Sequence, residues 1–320
     1  METQYQSDIP ALEVRDLLKK FGDLTAVNHL SLQVNRGEVF GFLGPNGAGK
    51  TTAIRMMCGL LRPSKGEVLI NGNAVPPDRN RETRAKVGIC PQENILWNKL
   101  SCKEQLVFSA RMYSVPRAEA RARAEEMLEI MGLSSKRNKM AAHLSGGMKR
   151  RMNVIMAIMH NPEILVFDEP EAGLDPQSRL LVRDFIKDTA RNKTVIVTTH
   201  NMDEAERIAD RVAIIDSGKL LRLDTPDNLK LSIGEGDILE MRLGGLTTGI
   251  EKAEERLKSL GLEISRWEDA LTVRSMDVLS RIVEIHQVLQ KEKIEIREMK
   301  IRQNTLEDVF IHLTGKSLRT

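Results

Sequence analysis

A glycine-rich segment that ends in a lysine and a threonine is the first part of the sequence with residue types suited to chemistry. It matches G-x-x-x-x-G-K-[ST], the P-loop, with the residues Gly44, Pro45, Asn46, Gly47, Ala48, Gly49, Lys50 and Thr51. Glycines let the backbone wrap closely around a polyphosphate, so that its N–H groups point inward. In this motif Lys50 reaches the β- and γ-phosphates, and the Thr51 hydroxyl ligates Mg²⁺.

The segments on either side favour a nucleotide site over a glycine-rich turn that binds nothing. The apolar run Val39–Leu43 predicts a strand that leads into the loop, and the residues after Thr52 have the apolar spacing of a helix. A helix starting at Thr51 would direct its positive dipole end at the phosphates. We therefore expect the P-loop to bind the phosphates of a nucleotide, with Thr52 as a further binding residue.

Two acids follow another apolar run. Ile164–Phe167 predicts a buried strand, and Asp168 and Glu169 come directly after it. Ligands of open α/β sheets bind at the carboxyl ends of strands. We expect Asp168 to help hold Mg²⁺ and Glu169 to activate or position the attacking water, a role that contributes about 10²–10⁴-fold in rate. Alone, two such acids would more simply form caps or salt bridges, but beside a P-loop we favour catalysis.

The elements that must position these residues follow an α/β pattern with a helical insertion. The short runs Ile164–Phe167, Thr194–Thr198 and Arg211–Ile215 alternate with helical stretches, as a parallel sheet requires. Residues 93 to about 160 are rich in alanine, arginine, glutamate and methionine, and they have helical periodicity. After about residue 231 the predicted order is β-α-β-β-α-β, as in a ferredoxin-like module.

Composition and charge narrow the class of protein further. The 320 residues can form one large and one smaller domain, 41% are apolar, and a net charge of +3 gives no reason to propose nucleic-acid binding. No apolar run approaches the roughly 18 residues of a membrane span, so at a membrane another chain would have to cross it. Cys58, Cys90 and Cys102 lack metal-ligand spacing, which fits a reducing cytoplasm.

A motif between the helical block and the two acids resembles the signature of one family. Leu144-Ser145-Gly146-Gly147-Met148 is similar to LSGGQ, the signature of ABC ATPases. Other positions match this family in its usual order, namely Phe21 (stacking on adenine), Gln92 (the Q-loop), Asp175 (the D-loop) and His200 (the switch histidine). Any one motif could arise by chance, but together they make the resemblance specific over residues 11 to about 230.

This resemblance implies an α/β fold with a P-loop NTPase core of the ABC ATPase type. The core would cover residues 1–230, with its helical subdomain at about 93–160. Residues 231–320 would form a small α+β, ferredoxin-like accessory domain with a terminal helix, for which we favour a dimerisation or regulatory role. Cytoplasmic location, peripheral on the inner face of the cell membrane, is also implied.

The resemblance also implies two copies acting together. In the family, the site of Ser145, Gly146 and Gly147 faces the nucleotide of the other subunit, so two chains pair head-to-tail as a homodimer and bury two ATP molecules. Gln92 would sense the γ-phosphate and serve as a third Mg²⁺ ligand beside Thr51 and Asp168. His200 would hydrogen-bond the γ-phosphate, which completes a catalytic set with Glu169, Gln92 and Lys50. Asp175 would lie at the same nucleotide.

The partner and the direction of transport are implied as well. Residues 93–115 lie where the family docks a separate membrane-spanning permease, and Trp97 is either an anchor of that surface or core of the helical block. The ending Leu306-Glu307-Asp308-Val309-Phe310, with Leu313-Thr314-Gly315, resembles the "LEDVF…LTG" of ABC-2 type exporters. Export is therefore favoured over import, and the cargo is left open.

Three positions depart from the family pattern. Met148 replaces glutamine, Glu171 replaces threonine and adds an acid near the Mg²⁺ site, and Met156 replaces arginine. The alternative function is a soluble ABC ATPase acting on nucleic acid or ribosomes, against which stand a single ATPase unit and the lack of sustained heptads. A P-loop protein that only keeps its motifs as a scaffold is disfavoured because Glu169 and His200 are both present.

Overall fold

The apolar runs form a six-stranded central sheet in the computed structural model, which describes residues 9–75, 85–234, 236–244, 247–267 and 270–315. From edge to edge its strands are β10 (Lys219–Asp224), β9 (Arg211–Asp216), β3 (Val39–Leu43), β8 (Thr194–Thr199), β7 (Ile164–Asp168) and β6 (Val87–Cys90). Neighbours are parallel except for the β10–β9 pair. Strands β3, β7 and β8 are entirely buried, as expected when both faces of a parallel sheet are covered.

Successive residues of a central strand contribute to two different hydrophobic cores. On β7, Ile164 and Val166 belong to the core that contains Phe40, whereas Leu165 and Phe167 belong to the core of the helical block. This follows from the alternation of side chains across a strand. The short apolar runs therefore hold together the two layers that cover the sheet.

An antiparallel sheet and one helix cover the first face. The sheet has the order β2-β1-β4-β5, with β1 (Leu12–Phe21), β2 (Leu24–Val34), β4 (Lys65–Ile70) and β5 (Asn73–Ala74). The helix α1 (Lys50–Met57) follows β3 and buries Ile54, Met56 and Met57 in the same core. This layer brings the β1–β2 hairpin next to the beginning of α1, because the carbonyl oxygen of Ala26 on β2 approaches Gly49.

Helices cover the second face. The helical block contains α2 (Cys102–Met112), α3 (Arg117–Ile130) and α4 (Gly146–Ile158), with short 3₁₀ turns at Ser134–Lys136 and Ala141–His143. They are followed by α5 (Pro176–Ala190) and α6 (Met202–Ile208). Ser101 and Glu104 form a capping box that fixes the start of α2. Within the part of the chain that the structure describes, no helix combines the length and apolarity needed to cross a bilayer.

A second compact unit begins at Asp227, and the first ends at Pro226. After α7 (Pro226–Leu231) its elements are β11 (Asp237–Gly244), α8 (Thr247–Ser259), β12 (Glu263–Trp267), β13 (Ala270–Ser275), α9 (Val278–Lys291), β14 (Glu295–Arg302) and α10 (Leu306–Thr314). The sheet order β12-β13-β11-β14, antiparallel throughout, is that of a split β-α-β module. Its core includes Leu239, Met241, Ile285 and Leu289.

A partly buried arginine attaches the terminal helix to this sheet. The Arg302 guanidinium donates to both carboxylate oxygens of Asp308, at 2.6 and 2.9 Å, and to Glu240 on β11 at 3.0 Å. Asp308 also completes a capping box with Thr305 at the start of α10. The predicted apolar face of α10 is buried at Leu306, Val309 and Phe310, and Leu313 is only partly buried.

This network predicts that Asp308→Asn destabilises the second unit in a pH-dependent way. Burial raises the pKa of Asp308, but hydrogen bonds from Arg302 and Thr305 outweigh burial and leave it lowered. A lowered carboxyl pKa stabilises the fold above the unfolded-state pKa, and that stability is lost as the pH falls through the folded pKa. We expect the variant to lose about 2 kcal/mol of unfolding free energy at neutral pH.

Denaturant unfolding followed by circular dichroism at pH 7 and at about pH 3.5 measures this difference. The gap between the wild type and Asp308→Asn should shrink at the lower pH. Glu298→Gln is the control, because Glu298 forms only an exposed ion pair with Arg242, with side chains 62% and 59% exposed. Equal stability of Asp308→Asn and Glu298→Gln at neutral pH would contradict the account.

Candidate functional site

Close backbone contacts explain the glycines of the P-loop, which connects β3 to α1. A Cβ atom at Gly44 would lie 2.3 Å from the carbonyl oxygen of Ile215, and one at Gly49 would lie 2.3 Å from that of Ala26. Gly49 also has a φ of 95°, in the left-handed region, and it is the N-cap of α1. Because only glycine fits at both positions, the loop presents backbone rather than side chains. Helix α1 begins at Lys50, one residue before the predicted start.

The Lys50 ammonium lies against the loop that precedes it. Its Nζ donates to the carbonyl oxygens of Gly44 at 2.6 Å and Pro45 at 3.0 Å, and the residue is 6% exposed. Burial lowers the pKa of Lys50, and the charges of Glu169 and Asp168 oppose this effect. Anionic phosphate oxygens are stronger acceptors than peptide carbonyls. The loop therefore holds a cation at the place where a polyphosphate would need one.

The hydroxyl of Thr51 and the carboxylate of Asp168 come together, as a Mg²⁺ site requires. Thr51 Oγ1 donates to Asp168 Oδ2 at 3.2 Å, and Thr198 Oγ1 donates to the other carboxylate oxygen. Asp168 is 6% exposed at the end of β7. Mg²⁺ prefers hard oxygen ligands from one or two protein side chains, together with phosphate oxygens and water. This donor set fits that preference.

Glu169 stands at the centre of the site. Its Oε2 accepts from Gln92 Nε2 at 3.0 Å, and its Oε1 lies 2.8 Å from His200 Nδ1. Its backbone has a φ of 50°, and its N–H donates to the carbonyl oxygen and the hydroxyl of Thr198, both at 3.1 Å. A glutamate in the left-handed region is uncommon, and such strain concentrates at functional sites. The strained backbone directs the carboxylate between the two polar side chains.

The sheet order explains why these side chains meet. Strands β3, β8, β7 and β6 are consecutive neighbours, and their carboxyl ends lead to Lys50, His200, Glu169 and Gln92 respectively. Carboxyl ends of adjacent parallel strands lie along one edge, where open α/β sheets bind ligands. The structure therefore brings together six of the predicted residues: Lys50, Thr51, Gln92, Asp168, Glu169 and His200. The amide nitrogen of Gln92 is engaged with Glu169, which leaves its oxygen as the atom for a metal.

A second predicted group lies at the start of α4. Ser145 caps this helix by accepting from Met148 N at 3.3 Å, and Ser145 and Gly146 are exposed. Asp175 caps α5, and its Oδ1 would be 3.5 Å from a Cβ at Gly147. Among the described residues, no hydrogen bond joins this signature turn (residues 145–147) to the P-loop. The structure of one chain thus gives an exposed helix start beside Asp175, apart from the hydrogen-bonded set around Glu169.

The remaining predicted nucleotide-binding residues differ in exposure. Phe21 is 49% exposed at the end of β1, and Lys19 Nζ lies 5.1 Å from its ring centre. Asn46 and Gly47 are exposed at the tip of the P-loop, Pro45 and Thr52 are half-buried, and Ala48 is buried. The exposed ring of Phe21 lies on the hairpin beside α1, and its stacking on adenine stays a prediction.

Glu171 does not contribute a free acid to the metal site. Its buried carboxylate lies 2.9 Å from Arg183 and 3.8 Å from Arg179, both on α5. The expected extra acid is thus neutralised by arginine, because α5 folds back over the loop that follows Glu169. Met156 packs against the core of the helical block, where an apolar side chain fits.

Arg150 is a residue of this site that the sequence did not reveal. It is 3% exposed, and its guanidinium donates to backbone carbonyls of Pro91, Gln92, Asp168, Glu169 and Pro170. Arg150 stands between two other basic residues on α4, so residue type alone did not distinguish it. Helical periodicity was the one available signal, since it turns Arg150 inward while its neighbours remain partly exposed.

Trp97 lies on the surface of the helical block. Trp97 is 40% exposed, and its ring packs edge-on against the ring of Phe108, with 5.2 Å between the two ring centroids. The backbone N–H of Trp97 donates to buried Gln105 at 2.9 Å. Ile95 and Met112 are exposed on the same block, at 58% and 60%. Trp97 was predicted to lie either on the surface of the helical block or in its core, and the structure places it on the surface.

Comparisons with known proteins identify the family of this chain. The family profile described as "ABC transporter" matches residues 27–172. The linearmycin resistance ATP-binding protein of Bacillus subtilis (strain 168) is 33% identical over 96% of this chain and 99% of that protein. A Nod factor export ATP-binding protein of Cupriavidus pinatubonensis is 36% identical over 96% and 92%. The daunorubicin/doxorubicin resistance ATP-binding protein of Streptomyces peucetius is 35% identical over 95% and 92%.

Solved structures give the same result for the fold. An ATP-binding subunit of an ABC transporter superposes with a TM-score of 0.65 at 28% identity, over 70% of this chain and 93% of that one. A dimeric ATP-binding cassette in a post-hydrolysis state, bound to ADP and Pi, superposes with a TM-score of 0.62 at 26% identity. That superposition covers 67% of this chain and 98% of the cassette.

The buried pair next to the site predicts that Glu171→Gln destabilises the first unit. The change leaves the Arg183 guanidinium, whose side chain is 13% exposed, without its anionic partner. Breaking a buried pair on one side costs about 3 kcal/mol. Glu119→Gln is the control, because Glu119 is 52% exposed in its pair with Arg123. Urea unfolding of both variants measures the effect, and wild-type stability of Glu171→Gln would show that the pair contributes nothing.

Proposed function

Since this chain belongs to the ABC transporter family as an ATP-binding and ATP-hydrolysing subunit, we propose that it powers export through a separate membrane-spanning partner. Support for export comes from three relatives named for resistance or export, each matched over more than nine-tenths of its length. Glu169 between Gln92 and His200 is the observation that carries the hydrolytic part of this proposal.

Each residue of the cluster has a chemical part in the proposed hydrolysis. Lys50 would exchange the carbonyl oxygens of its own loop for phosphate oxygens and balance their charge. Mg²⁺ held by Thr51 and Asp168, with Gln92 as a third ligand, would neutralise charge on the β- and γ-phosphate oxygens. Glu169 would take the proton of the attacking water, since its carboxylate is already held at the strand end.

His200 and Gln92 would link this carboxylate to the γ-phosphate. The His200 side chain is 52% exposed, so its ring has room to turn from Glu169 towards a bound phosphate. Gln92 follows β6 directly and precedes the surface of the helical block. When ATP binds, the Gln92 side chain would give up its hydrogen bond to Glu169 and contact the nucleotide instead. This movement would pass a change at the phosphate to the surface of the helical block. Phe21 would hold the adenine ring by stacking.

Two chains would pair head-to-tail, with the signature turn of one over the P-loop of the other. The start of α4 is exposed, and the backbone N–H groups and positive dipole end of a helix start favour a phosphate. A Cβ at Gly146 meets no atom within 4 Å, so the turn is open to an approaching ligand. The dimeric cassette with ADP and Pi supports a dimer as the working unit.

The apolar surface after Gln92 is the proposed docking site for the membrane partner. Trp97 and Phe108 form an aromatic pair there, with Ile95 and Met112 also exposed. Aromatic residues are favoured at the centre of protein interfaces. Docking at this surface would place the chain peripherally on the inner face of the cell membrane, where ATP is available.

Glu169→Gln is expected to keep ATP binding, lose hydrolysis by about 10²-fold or more, and accumulate as an ATP-dependent dimer. The amide cannot accept the proton of the water, while the groups that bind phosphate are unchanged. Phosphate release and light scattering with saturating Mg-ATP measure the two effects. Glu163→Gln is the control, since Glu163 is exposed and lies just before the start of β7, at the end of the strand away from Glu169. A monomeric Glu169→Gln chain with bound Mg-ATP would contradict the head-to-tail dimer.

Affinity purification of the tagged chain from detergent-solubilised native membranes tests the partner. We expect a polytopic membrane protein to be recovered in stoichiometric amount. Trp97→Ala should weaken its binding about 30-fold, because truncating an interface anchor costs about 2 kcal/mol. Ile130→Ala, at another exposed apolar residue of the block, should retain the partner. Recovery of the wild-type chain only with ribosomes, nucleic acid or nothing would exclude the exporter function.

A further inference from the structure

The environment of Arg150 is unusual for a buried charge. Its Nη1 donates to Pro91 at 2.5 Å and Gln92 at 3.0 Å, and its Nη2 donates to Asp168 at 2.5 Å and Glu169 at 2.9 Å. Its Nε donates to Pro170 at 3.2 Å. All of these acceptors are backbone carbonyls, and among the described residues no carboxylate forms an ion pair with it. Such a cation is costly to bury unless every donor is satisfied, which the carbonyls achieve.

These carbonyls come from only two segments, both of which carry catalytic side chains. Pro91 and Gln92 follow β6, whereas Asp168 ends β7 and is followed by Glu169 and Pro170. The guanidinium is planar and rigid, so it fixes the distance between the two segments more strictly than a flexible ammonium could. Arg150 therefore sets how far the backbone of Gln92 lies from that of Glu169, and with it the hydrogen bond between their side chains.

Arg150 also belongs to the helix that the signature turn begins. Ser145 is the N-cap of α4, and Arg150 lies five residues further along the same helix. At a rise of about 1.5 Å per residue, only about 7.5 Å separates them along the axis. A helix of this length moves as one body, because its hydrogen-bonded turns resist local compression. A shift of the signature turn must therefore displace the Arg150 guanidinium and the carbonyls that it holds.

We propose that Arg150 is a positioning residue that couples the signature turn of each chain to the Gln92–Glu169 pair of the same chain. This inference rests on the proposed head-to-tail dimer, in which the nucleotide at the signature turn belongs to the other subunit. Binding of that nucleotide draws α4 towards it, and Arg150 carries the movement to the hydrolytic carboxylate. Each nucleotide thereby prepares hydrolysis of the other, and the two sites act cooperatively.

Arg150→Lys tests the coupling, since lysine keeps the charge but cannot span both segments. We expect its kcat for ATP hydrolysis to fall about tenfold and its Hill coefficient for Mg-ATP to fall from above 1 to about 1. Binding of Mg-ATP to the monomer should change less than twofold, because the P-loop is untouched. Arg123→Gln is the control: it removes a guanidinium bond to the carbonyl of Met159, at the other end of α4, and should keep the cooperativity.

Mixed dimers test the same coupling without changing Arg150, which matters if Arg150→Lys does not fold. One chain carries Ser145→Ala and an intact Glu169, and the other carries Glu169→Gln and an intact signature turn. Hydrolysis can then occur only at the intact Glu169, whose nucleotide faces an unmodified signature. We expect hydrolysis to fall several-fold relative to the same dimer without Ser145→Ala.

A folded Arg150→Lys chain that keeps the wild-type kcat and Hill coefficient would overturn the inference. Two further outcomes overturn it while leaving the dimer intact. One is equal hydrolysis by the two mixed dimers, and the other is a wild-type Hill coefficient of 1 while Glu169→Gln still dimerises with Mg-ATP. Failure of Glu169→Gln to dimerise would instead refute the head-to-tail arrangement itself, and this inference with it.

Discussion

The paired hydrogen bonds of the Glu169 carboxylate link three strand ends into one site. Gln92 and His200 each contact one of its oxygens. The backbone of Glu169 has a left-handed conformation, in which its N–H donates to Thr198. The carboxylate cannot move without disturbing the ends of β6 and β8. This position suits a carboxylate that must accept a proton and respond to a phosphate. Gln92 and His200 can each give up their contact with Glu169 and contact the nucleotide instead.

The architecture around this carboxylate serves to hold backbone in place. The central sheet is buried on both faces between an antiparallel sheet with α1 and a block of helices. Strand ends at the edge of such a sheet are fixed by the packing of both cores. The P-loop adds backbone contacts that only glycine permits at Gly44 and Gly49, and Arg150 adds a buried cation that holds carbonyls just after the ends of β6 and β7. Precision at the site thus comes mainly from the main chain.

The difference between contacts made by particular side chains and contacts made by the main chain explains how much the sequence could predict. The P-loop and the acids Asp168 and Glu169 were predicted because their function requires particular residue types at fixed local spacing. Arg150 escaped prediction because its partners are carbonyl oxygens, which every residue has and no pattern marks. The arginine partners of Glu171 were not predicted, since they depend on how α5 folds back over the loop. In the second unit the order of elements was predicted, but the strand order β12-β13-β11-β14 depends on long-range pairing.

Cross-linking between subunits tests the central claim most directly, namely that the signature turn of one chain closes over the P-loop of its partner. A chain with Asn46→Cys and Gly146→Cys places thiols at two exposed positions, whereas the native Cys58, Cys90 and Cys102 are buried. The account predicts that a short bismaleimide joins the two chains in the presence of Mg-ATP and hardly at all without nucleotide. Equal cross-linking in both conditions, or none while Mg-ATP is bound, would contradict it.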